Sequence, residues 1–404
     1  MRVLYVNVGI PLYTHPLLEK IVAKGCELVM LIPKNDDKTV GENVKSADMK
    51  NTSYRICYSP TKTMWYGKPA LIDLKSILLR EKPDIMMIGW PYFLYLFFNR
   101  SIFEIMRQNK IRLIIREIPF QTPPYGNLSY FKNNPAYNEN MELLSHGIAF
   151  KLRSLLTMYI RRFVYRRADA SLNYASHALK ILPSYGINPD DVFVSYNTSD
   201  TDSLLLKREK IMLSDPLLPV RKRILHIGRL VKWKRVDLLI DAFRKVAEKY
   251  PDCELVIIGN GPEKDALTRQ AGNTGLAERI VFAGAIYDSY TLGRYMYESS
   301  VYVLAGMGGL SINDAMCFSL PVVCSVCDGT EKDLITDGVN GYFFKEGDVN
   351  SLTETIAKVL SLDNDRRKQM GEDAYRVIKE KINLETVAQR YMDAFEYVIN
   401  KISD

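Results

Sequence analysis

Short apolar runs that are typical of buried strands alternate with helix-like segments through most of this 404-residue chain. Arg2–Val8 and Glu27–Ile32 are two such runs, separated by a predicted helix from about His15 to Lys24. A strand, a helix and a second strand in succession form a right-handed unit, so this alternation predicts parallel sheets covered by helices. The chain is too long for one ordinary core. We therefore predict an α/β protein of two Rossmann-like domains that face each other across a cleft.

The first series of elements includes one aromatic-rich helix, predicted from Tyr92 to Gln108, and a strand that ends at Glu117. The segment from Ile118 to Ser145 then interrupts the alternation with prolines, glycines and asparagines. Long loops inside compact domains are usually functional, so we interpret this segment as a substrate-facing lid. A disordered surface insertion is the alternative.

A basic amphipathic helix is predicted from Lys151 to Arg167. Such a helix can lie on an anionic membrane surface. It can equally pack its apolar stripe against the sheet while its arginines stay solvated, and we favour this second arrangement.

The second series begins with the strand Arg223–Gly228, after a segment from Asp200 to Pro219 that we interpret as a linker. Arg229 and Lys234 follow the strand, and two cations beside a strand-to-helix turn suit a diphosphate, although a solvated basic loop is the alternative. Val301–Cys317 reads as a buried strand, a glycine-rich turn and the start of a helix. Because glycines allow close approach and free N–H groups at a helix start attract anions, this stretch predicts a phosphate cradle.

The composition is that of a soluble globular protein, with 47% hydrophobic and 25% charged residues. The net charge of +7 permits an anionic partner without requiring one, and we expect no nucleic acid among the partners. No apolar run approaches the ~20 residues that span a bilayer, and the start MRVLYVNVGIPLY lacks a signal-peptide pattern. These features predict a cytoplasmic protein.

Several blocks of the second half resemble the donor-nucleotide domain of family-4 retaining glycosyltransferases of the GT-B type, the glycosyl transferases group 1. In chain order the blocks are Gly228–Phe243, Glu254–Leu267, Ile280–Ile286, Gly309–Val323 and Asp337–Phe344. The first half resembles the family through its strand–helix alternation and through Tyr165–Leu182. The resemblance implies an acceptor domain at residues 1–205, a nucleotide-sugar donor domain at residues 206–382, and a C-terminal helix at residues 383–404 that packs back on the N-terminal domain.

The resemblance also implies which residues contact the donor. Arg229 and Lys234 match the family's cations that bind the donor diphosphate, and stabilising its charge is their implied catalytic role. The other implied donor contacts are Gly228, Asn260, Gly261, Pro262, Gly284, Ala285, Ile286, Gly308, Gly309, Leu310, Ser311 and Asp314. We expect no metal and no cofactor, because the cations and the helix dipole take the place of a metal.

The chain departs from the family pattern at two places. The family carries two glutamates where this chain has Gly306 and Asp314. Asp314 can accept bonds from ribose hydroxyls, or it can form a capping box with Ser311, whereas Gly306 has no side chain to hold the sugar. Where many relatives have a His–Asp pair, this chain has Arg116 and Glu117. We predict that Glu117 faces the donor sugar or the acceptor hydroxyl, with a salt bridge to Arg116 as the alternative.

The resemblance predicts a retaining glycosyltransferase that moves a sugar from a nucleoside diphosphate, UDP or GDP, to a glycan or lipid-linked glycan in polysaccharide or glycoconjugate biosynthesis. The alternatives are a nucleotide-sugar epimerase on the same fold and a non-catalytic nucleotide-sugar-binding subunit. Aromatic side chains could stack on acceptor sugars or touch a polyprenyl lipid, with core packing as the alternative. These are Trp65, Tyr66, Trp90, Tyr92, Phe93 and Tyr125. With the basic charge, they predict peripheral contact with the inner face of an anionic membrane.

Overall fold

A computed structural model of the chain describes residues 1–34, 51–117, 122–138, 140–144, 147–214, 222–327 and 329–401. The chain divides into two units. Unit 1 takes in Met1–Ala136, Leu143–Asn197 and Leu384–Asp404. Unit 2 takes in Tyr137–Glu142 and Thr198–Asn383.

The described strands are short, and most are buried on both faces. In chain order they are β1 (Arg2–Val6), β2 (Glu27–Pro33), β3 (Arg55–Ser59), β4 (Thr61–Thr63), β5 (Pro69–Leu71), β6 (Ile85–Gly89), β7 (Arg112–Glu117), β8 (Ala170–Asn173), β9 (Val192–Val194), β10 (Lys222–Ile227), β11 (Cys253–Ile258), β12 (Ile280–Gly284), β13 (Val301–Leu304), β14 (Val322–Cys324) and β15 (Gly341–Phe343).

The described α-helices vary from single turns to long amphipathic segments. They are α1 (His15–Ala23), α2 (Leu74–Glu81), α3 (Phe93–Phe98), α4 (Ser101–Gln108), α5 (Tyr130–Asn133), α6 (Gly147–Tyr165), α7 (Ala178–Ile181), α8 (Thr201–Met212), α9 (Val236–Lys249), α10 (Lys264–Gly272), α11 (Ser289–Tyr297), α12 (Ser311–Cys317), α13 (Glu331–Leu334), α14 (Val349–Leu360), α15 (Asn364–Glu380) and α16 (Leu384–Asn400).

Unit 1 is built on a parallel sheet that has seven strands among the described residues, in the order β3-β2-β1-β6-β7-β8-β9. The apolar side chains on one face of this sheet pack with α2, α3, α4, α6 and α7 into a continuous core. The short antiparallel pair β4–β5 lies outside this sheet. Helix α16 packs against α1, β8 and β9, so the end of the chain belongs to unit 1.

Unit 2 is built on a second parallel sheet, with six described strands in the order β12-β11-β10-β13-β14-β15. The strand β11 is buried at every position, and its sequence is apolar apart from Glu254, whose carboxylate pairs with Arg223. The order of the strands reverses between β10 and β13. Parallel sheets bind ligands beyond the carboxyl ends of their strands at such a reversal.

The structure corrects three expectations about elements. The predicted linker contains helix α8, whose first turn is capped by the Asp200 side chain accepting from the Ser203 N–H. The predicted helix from Tyr92 to Gln108 is two helices, α3 and α4, separated at Asn99. The apolar stripe of α6 is buried only in the second half of the helix, because the first half extends beyond the core. The predicted lid falls partly outside the described residues, and its described part includes α5.

Candidate functional site

The candidate site lies in unit 2, at the carboxyl ends of the adjacent strands β10 and β13. The chain leaves β10 through Gly228 and Arg229 and then forms a single turn of 3-10 helix at Lys232–Lys234. It leaves β13 into the glycine-rich loop that precedes α12. The parallel sheet therefore brings the predicted cations and the predicted phosphate loop to one crevice.

Lys234 is buried against the glycine-rich loop. Its Nζ donates hydrogen bonds to the carbonyl oxygens of Met307 at 2.9 Å and Gly308 at 2.6 Å. The loop also donates a hydrogen bond to the turn, from the N–H of Met307 to the carbonyl oxygen of Trp233 at 2.8 Å. These bonds hold the ammonium of Lys234 at the loop.

Gly306 fits only because it lacks a side chain. A Cβ built at this position would lie 2.2 Å from the carbonyl oxygen of Trp233 and 2.6 Å from the carbonyl carbon of Lys234. Both are backbone atoms, so no side-chain rotation relieves the overlap. The departure from the family's glutamate therefore accompanies a close approach of the loop to the Lys232–Lys234 turn.

Arg229 lies at the same crevice, with its guanidinium 5.5 Å from the centre of the Trp233 ring. The Asn260–Pro262 turn packs directly on its neighbour Leu230. The Leu230 N–H donates to the Asn260 carbonyl at 2.9 Å, and a Cβ on Gly261 would lie 2.4 Å from the Leu230 carbonyl oxygen. In the structure this predicted nucleotide-binding turn supports the segment that carries Arg229.

Asp314, on the first turn of α12, is half-buried. Its Oδ1 has no hydrogen-bond partner among the described residues. Burial raises the pKa of Asp314 to about 6, against a lowering by the Ser199 hydroxyl and with a smaller rise from Asp200. An unpaired buried carboxylate oxygen is costly, and a ligand hydroxyl would satisfy it.

The predicted capping box at the start of α12 does not form. The helix begins at Ser311, the capping position is Leu310, and no side chain caps it. The Ser311 Oγ instead lies 2.6 Å from the Tyr302 hydroxyl, which also donates to the Ile227 carbonyl at 3.2 Å. The tyrosine therefore ties the end of β10 to the start of α12.

His226 is a buried residue of this site that sequence reasoning missed. Its Nδ1 is 3.0 Å from the carbonyl oxygen of Val303, and its Nε2 has no hydrogen-bond partner among the described residues. Burial lowers its pKa to about 4; the Val303 carbonyl opposes this shift, and the charge of Lys234 adds to it. The imidazole is therefore neutral near pH 7. Its position two residues before Gly228, at the end of β10, was the available signal.

The remaining predicted donor contacts lie at neighbouring ends of the same sheet. Gly284 ends β12, adopts a φ of 71°, and accepts from the Gly259 N–H at 2.8 Å. Ala285 and Ile286 follow it in an irregular segment. Gly309 lies against Lys234, since a Cβ on it would be 3.0 Å from the lysine Nζ.

Glu117 lies in unit 1 and is buried at the end of β7. Its carboxylate accepts two hydrogen bonds from Arg161, both at 3.0 Å, and one from the Tyr165 hydroxyl at 2.7 Å. Glu117 therefore forms its salt bridge with Arg161 on α6. The alternative interpretation, a salt bridge between Glu117 and Arg116, was wrong. With both oxygens bonded, the geometry favours a structural role for Glu117 over contact with a substrate.

Arg116 instead lies among tyrosine rings of unit 1. Its guanidinium is 4.0 Å from the centre of the Tyr174 ring, and its Nε donates to the Tyr391 hydroxyl at 2.6 Å. Of the aromatic residues predicted at the acceptor side, Tyr92 and Phe93 are core residues, whereas Trp65, Trp90 and Tyr125 are exposed.

Among the described residues, none of the helices combines the length and the apolar composition that crossing a membrane requires.

Comparisons with known proteins show which proteins this chain is similar to. Residues 208–377 match the family model described as glycosyl transferases group 1. A protein of Methanocaldococcus jannaschii named an uncharacterized glycosyltransferase is 25% identical over 271 residues, which are 64% of this chain and 68% of that protein.

A second relative comes from Campylobacter jejuni. It is named N-acetylgalactosamine-N,N'-diacetylbacillosaminyl-diphospho-undecaprenol 4-alpha-N-acetylgalactosaminyltransferase and is 27% identical over 283 residues, 68% of each protein. Among solved structures, Anabaena HepE in complex with UDP superposes with a TM-score of 0.66 and 16% identity, over 98% of this chain and all of that chain (100%). At this sequence identity, the superposition supports only the assignment of the fold.

Proposed function

Since residues 208–377 carry a domain of the glycosyl transferases group 1 family on a fold of the GT-B type, we propose that this chain transfers a sugar from a nucleoside diphosphate to a glycan or lipid-linked glycan. The observation that carries the proposal is the buried ammonium of Lys234, held at the glycine-rich loop beside Arg229.

The two cations are proposed to bind the diphosphate and to stabilise the reaction. When the bond between sugar and phosphate breaks, negative charge grows on the leaving phosphate. Lys234 is held in place before any ligand arrives, so its charge stabilises the transition state without a cost of reorganisation. Arg229 adds a planar donor that can bind two phosphate oxygens. In this proposal the two side chains supply the positive charge that a metal ion would otherwise supply.

Asp314 is proposed to bind the ribose of the donor. Its unpaired Oδ1 would accept a bond from a ribose hydroxyl, which removes the cost of leaving this oxygen unsatisfied. The hydroxyl would also favour the ionised carboxylate, because a hydrogen bond to the charged form lowers the pKa. We therefore expect donor binding to weaken as the pH falls below about 6.

We propose that the sugar keeps its anomeric configuration through front-face attack. A double displacement needs a carboxylate nucleophile at the sugar, and Glu117 has both oxygens bonded to Arg161 and Tyr165. In front-face attack the leaving phosphate accepts the proton of the acceptor hydroxyl, so no protein base is needed.

The nucleotide and the acceptor are proposed from the relatives. UDP is the nucleotide bound in Anabaena HepE, and a polyprenyl diphosphate is named in the Campylobacter enzyme. We propose a uridine or guanosine diphosphate sugar as donor and a lipid-linked glycan as acceptor, with the protein in peripheral contact with the inner face of an anionic membrane.

A non-catalytic nucleotide-sugar-binding protein is the second candidate. Gly306 favours it, because the position has no carboxylate to hold the donor sugar and no room for one in this conformation. The two candidates differ in turnover but not in nucleotide binding.

The test is a screen of UDP-, GDP- and ADP-sugars by thermal shift, followed by turnover of the sugar that binds. A donor at 100 times its dissociation constant should add ~2.7 kcal/mol to the unfolding free energy. Lys234→Ala should reduce turnover by about 100-fold or more, because it removes a fixed charge from the leaving group.

Lys232→Ala is the matched control, since this exposed lysine belongs to the same 3-10 turn. Arg229→Gln is a second variant in case Lys234→Ala unfolds the turn. If the protein binds a nucleotide sugar but neither transfers nor hydrolyses any of the nucleotide sugars tested, the transferase proposal is contradicted. That result would favour the non-catalytic candidate.

A further inference from the structure

Helix α6 presents large apolar side chains to solvent in its first half. Ile148 is 76% exposed and Leu152 is 62% exposed. Leu155, Leu156 and Tyr159 are also exposed, and their spacing lines them up along one side of the helix. Contiguous exposed apolar surface of this kind marks an interaction site more often than an isolated exposed leucine does.

The exposed stripe continues in space onto the β4–β5 hairpin. Trp65 lies at the tip of the hairpin and is 78% exposed. Its ring contacts that of Phe98 at 5.2 Å between centres, and Phe98 contacts Phe97 at 5.0 Å. Phe97 in turn contacts Tyr159 of α6 at 5.9 Å. A chain of aromatic contacts therefore joins the hairpin tip to the stripe.

The charged residues within α6 and within the β4–β5 hairpin are all basic. Helix α6 contains no acidic residue, and Lys151 and Arg153 are exposed on its first half. Lys62 and Lys68 are exposed on the hairpin on either side of Trp65. Apolar side chains mixed with lysine and arginine, with tryptophan and tyrosine among them, suit the boundary between lipid headgroups and acyl chains.

We propose that the exposed stripe of α6 and the tip of the β4–β5 hairpin together form the docking surface of this protein for an anionic phospholipid membrane. The proposal rests on the proposed function, because it identifies the surface that would bring unit 1 to a lipid-linked acceptor. A second copy of the chain is the less favourable occupant, since it would bring the like charges of the two surfaces together.

The experiment uses the full chain and vesicles of two compositions, phosphatidylglycerol mixed with phosphatidylcholine, and phosphatidylcholine alone. The wild type should bind the anionic vesicles at least about tenfold more tightly, because each cation near the surface is attracted to anionic lipid. Added salt should weaken this binding by screening the charges. Both the double variant Ile148→Ser, Leu152→Ser and the single variant Trp65→Ser should lose about tenfold or more in affinity, because less apolar surface enters the lipid.

The matched control is the double variant Leu206→Ser, Leu213→Ser. These leucines are 63% and 91% exposed on and directly after α8, in unit 2, and their loss should leave vesicle binding unchanged. The docking proposal is overturned if the wild type stays unbound at low salt, or if the α6 variant binds like the wild type. It is also overturned if light scattering shows a dimer that the α6 variant abolishes.

Transfer to a water-soluble acceptor without vesicles separates this inference from the proposed function. The double variant Ile148→Ser, Leu152→Ser should keep wild-type turnover there. Failure of the wild type to transfer to any soluble acceptor would count against the transferase, while vesicle binding would still decide the docking surface.

Discussion

At the scale of single residues, the site combines groups whose protonation depends on burial. His226 is held neutral beside Lys234, and the Asp314 carboxylate is held with one oxygen unpaired. Both shifts arise mainly from desolvation, which disfavours the charged form. The pH dependence of stability follows with opposite sign for the two residues.

The lowered pKa of His226 makes the folded protein less stable in acid. The folded pKa is about 4 and the unfolded value 6.5, so between these pH values the unfolded chain binds more protons. The contribution of His226 is constant above pH ~6.5 and lowers stability by roughly 3 kcal/mol as the pH falls to ~4. Asp314, whose pKa is raised from 3.8 to about 6, instead favours folding as the pH falls through that window.

We predict that His226→Asn, which keeps a donor toward the Val303 carbonyl, flattens this acid loss of stability. Urea unfolding at several pH values between ~4 and ~7 would measure it, with roughly 3 kcal/mol less variation than in the wild type. His15→Asn is the control, because this imidazole lies in unit 1 and is only partly buried. Parallel pH profiles of wild type and His226→Asn would contradict the prediction.

At the scale of elements, the decisive contact is between the Lys232–Lys234 turn and the loop after β13. The turn supplies an ammonium and a carbonyl, and the loop supplies two carbonyls and an N–H. Gly306 makes the contact close enough for these bonds. The departure from the family pattern is thus a packing feature of two connected segments as well as the loss of an acidic side chain.

Gly306→Ala should push the loop and the turn apart. Its Cβ would overlap backbone atoms, and overpacking of this kind typically costs 1–3 kcal/mol. We expect a lower unfolding free energy and at least about tenfold weaker nucleotide-diphosphate binding, because the displaced loop no longer holds Lys234. Calorimetric titration and urea unfolding would measure the two effects.

Gly272→Ala is the control for this substitution. The glycine lies in α10 of the same unit, and a Cβ built there meets nothing within 4 Å. It should leave nucleotide binding unchanged and raise helix stability slightly. Wild-type binding and stability in Gly306→Ala would show that the loop relaxes and that the close approach is not required.

The pairing of Glu117 also depends on a contact between two elements of the fold. Its partners Arg161 and Tyr165 lie on α6, which follows β7 only after a long intervening segment. Nothing local in the sequence pairs these residues. Arg116 was the nearer partner in sequence, but adjacent strand residues point to opposite faces of a sheet.

At the scale of the whole molecule, the two units are discontinuous in sequence. Helix α16 follows the last helix of unit 2 but packs in unit 1, where Phe395 is fully buried and the Tyr397 hydroxyl donates to Asp191 at 2.8 Å. The last segment of the chain therefore contributes to the stability of the first.

Phe395→Ala should destabilise unit 1 selectively, by about 3–5 kcal/mol, because it leaves a cavity in that core. The three tryptophans allow the units to be followed separately, since Trp65 and Trp90 lie in unit 1 and Trp233 in unit 2. Urea unfolding would be followed by fluorescence in a variant that keeps Trp90 alone and in another that keeps Trp233 alone. Equal shifts of both transitions would contradict the assignment of α16 to unit 1.

The sequence by itself determined the α/β class, the two strand–helix series and the position of Arg229, Lys234 and the glycine-rich loop directly after strands. Strand and helix periodicity is local, so these features can be inferred residue by residue, whereas the adjacency of β10 and β13 comes from the sheet order. The GT-B fold that the resemblance implied is confirmed by the comparisons.

Only the tertiary structure decided which side chains are paired and which surfaces are covered. It brought His226 near Lys234, paired Glu117 with Arg161, placed Ser311 against Tyr302 and left the first half of α6 exposed. The physical reason is that burial and pairing depend on segments far apart in the chain. A buried stripe and an exposed stripe have the same helical periodicity, and only the neighbouring elements distinguish them.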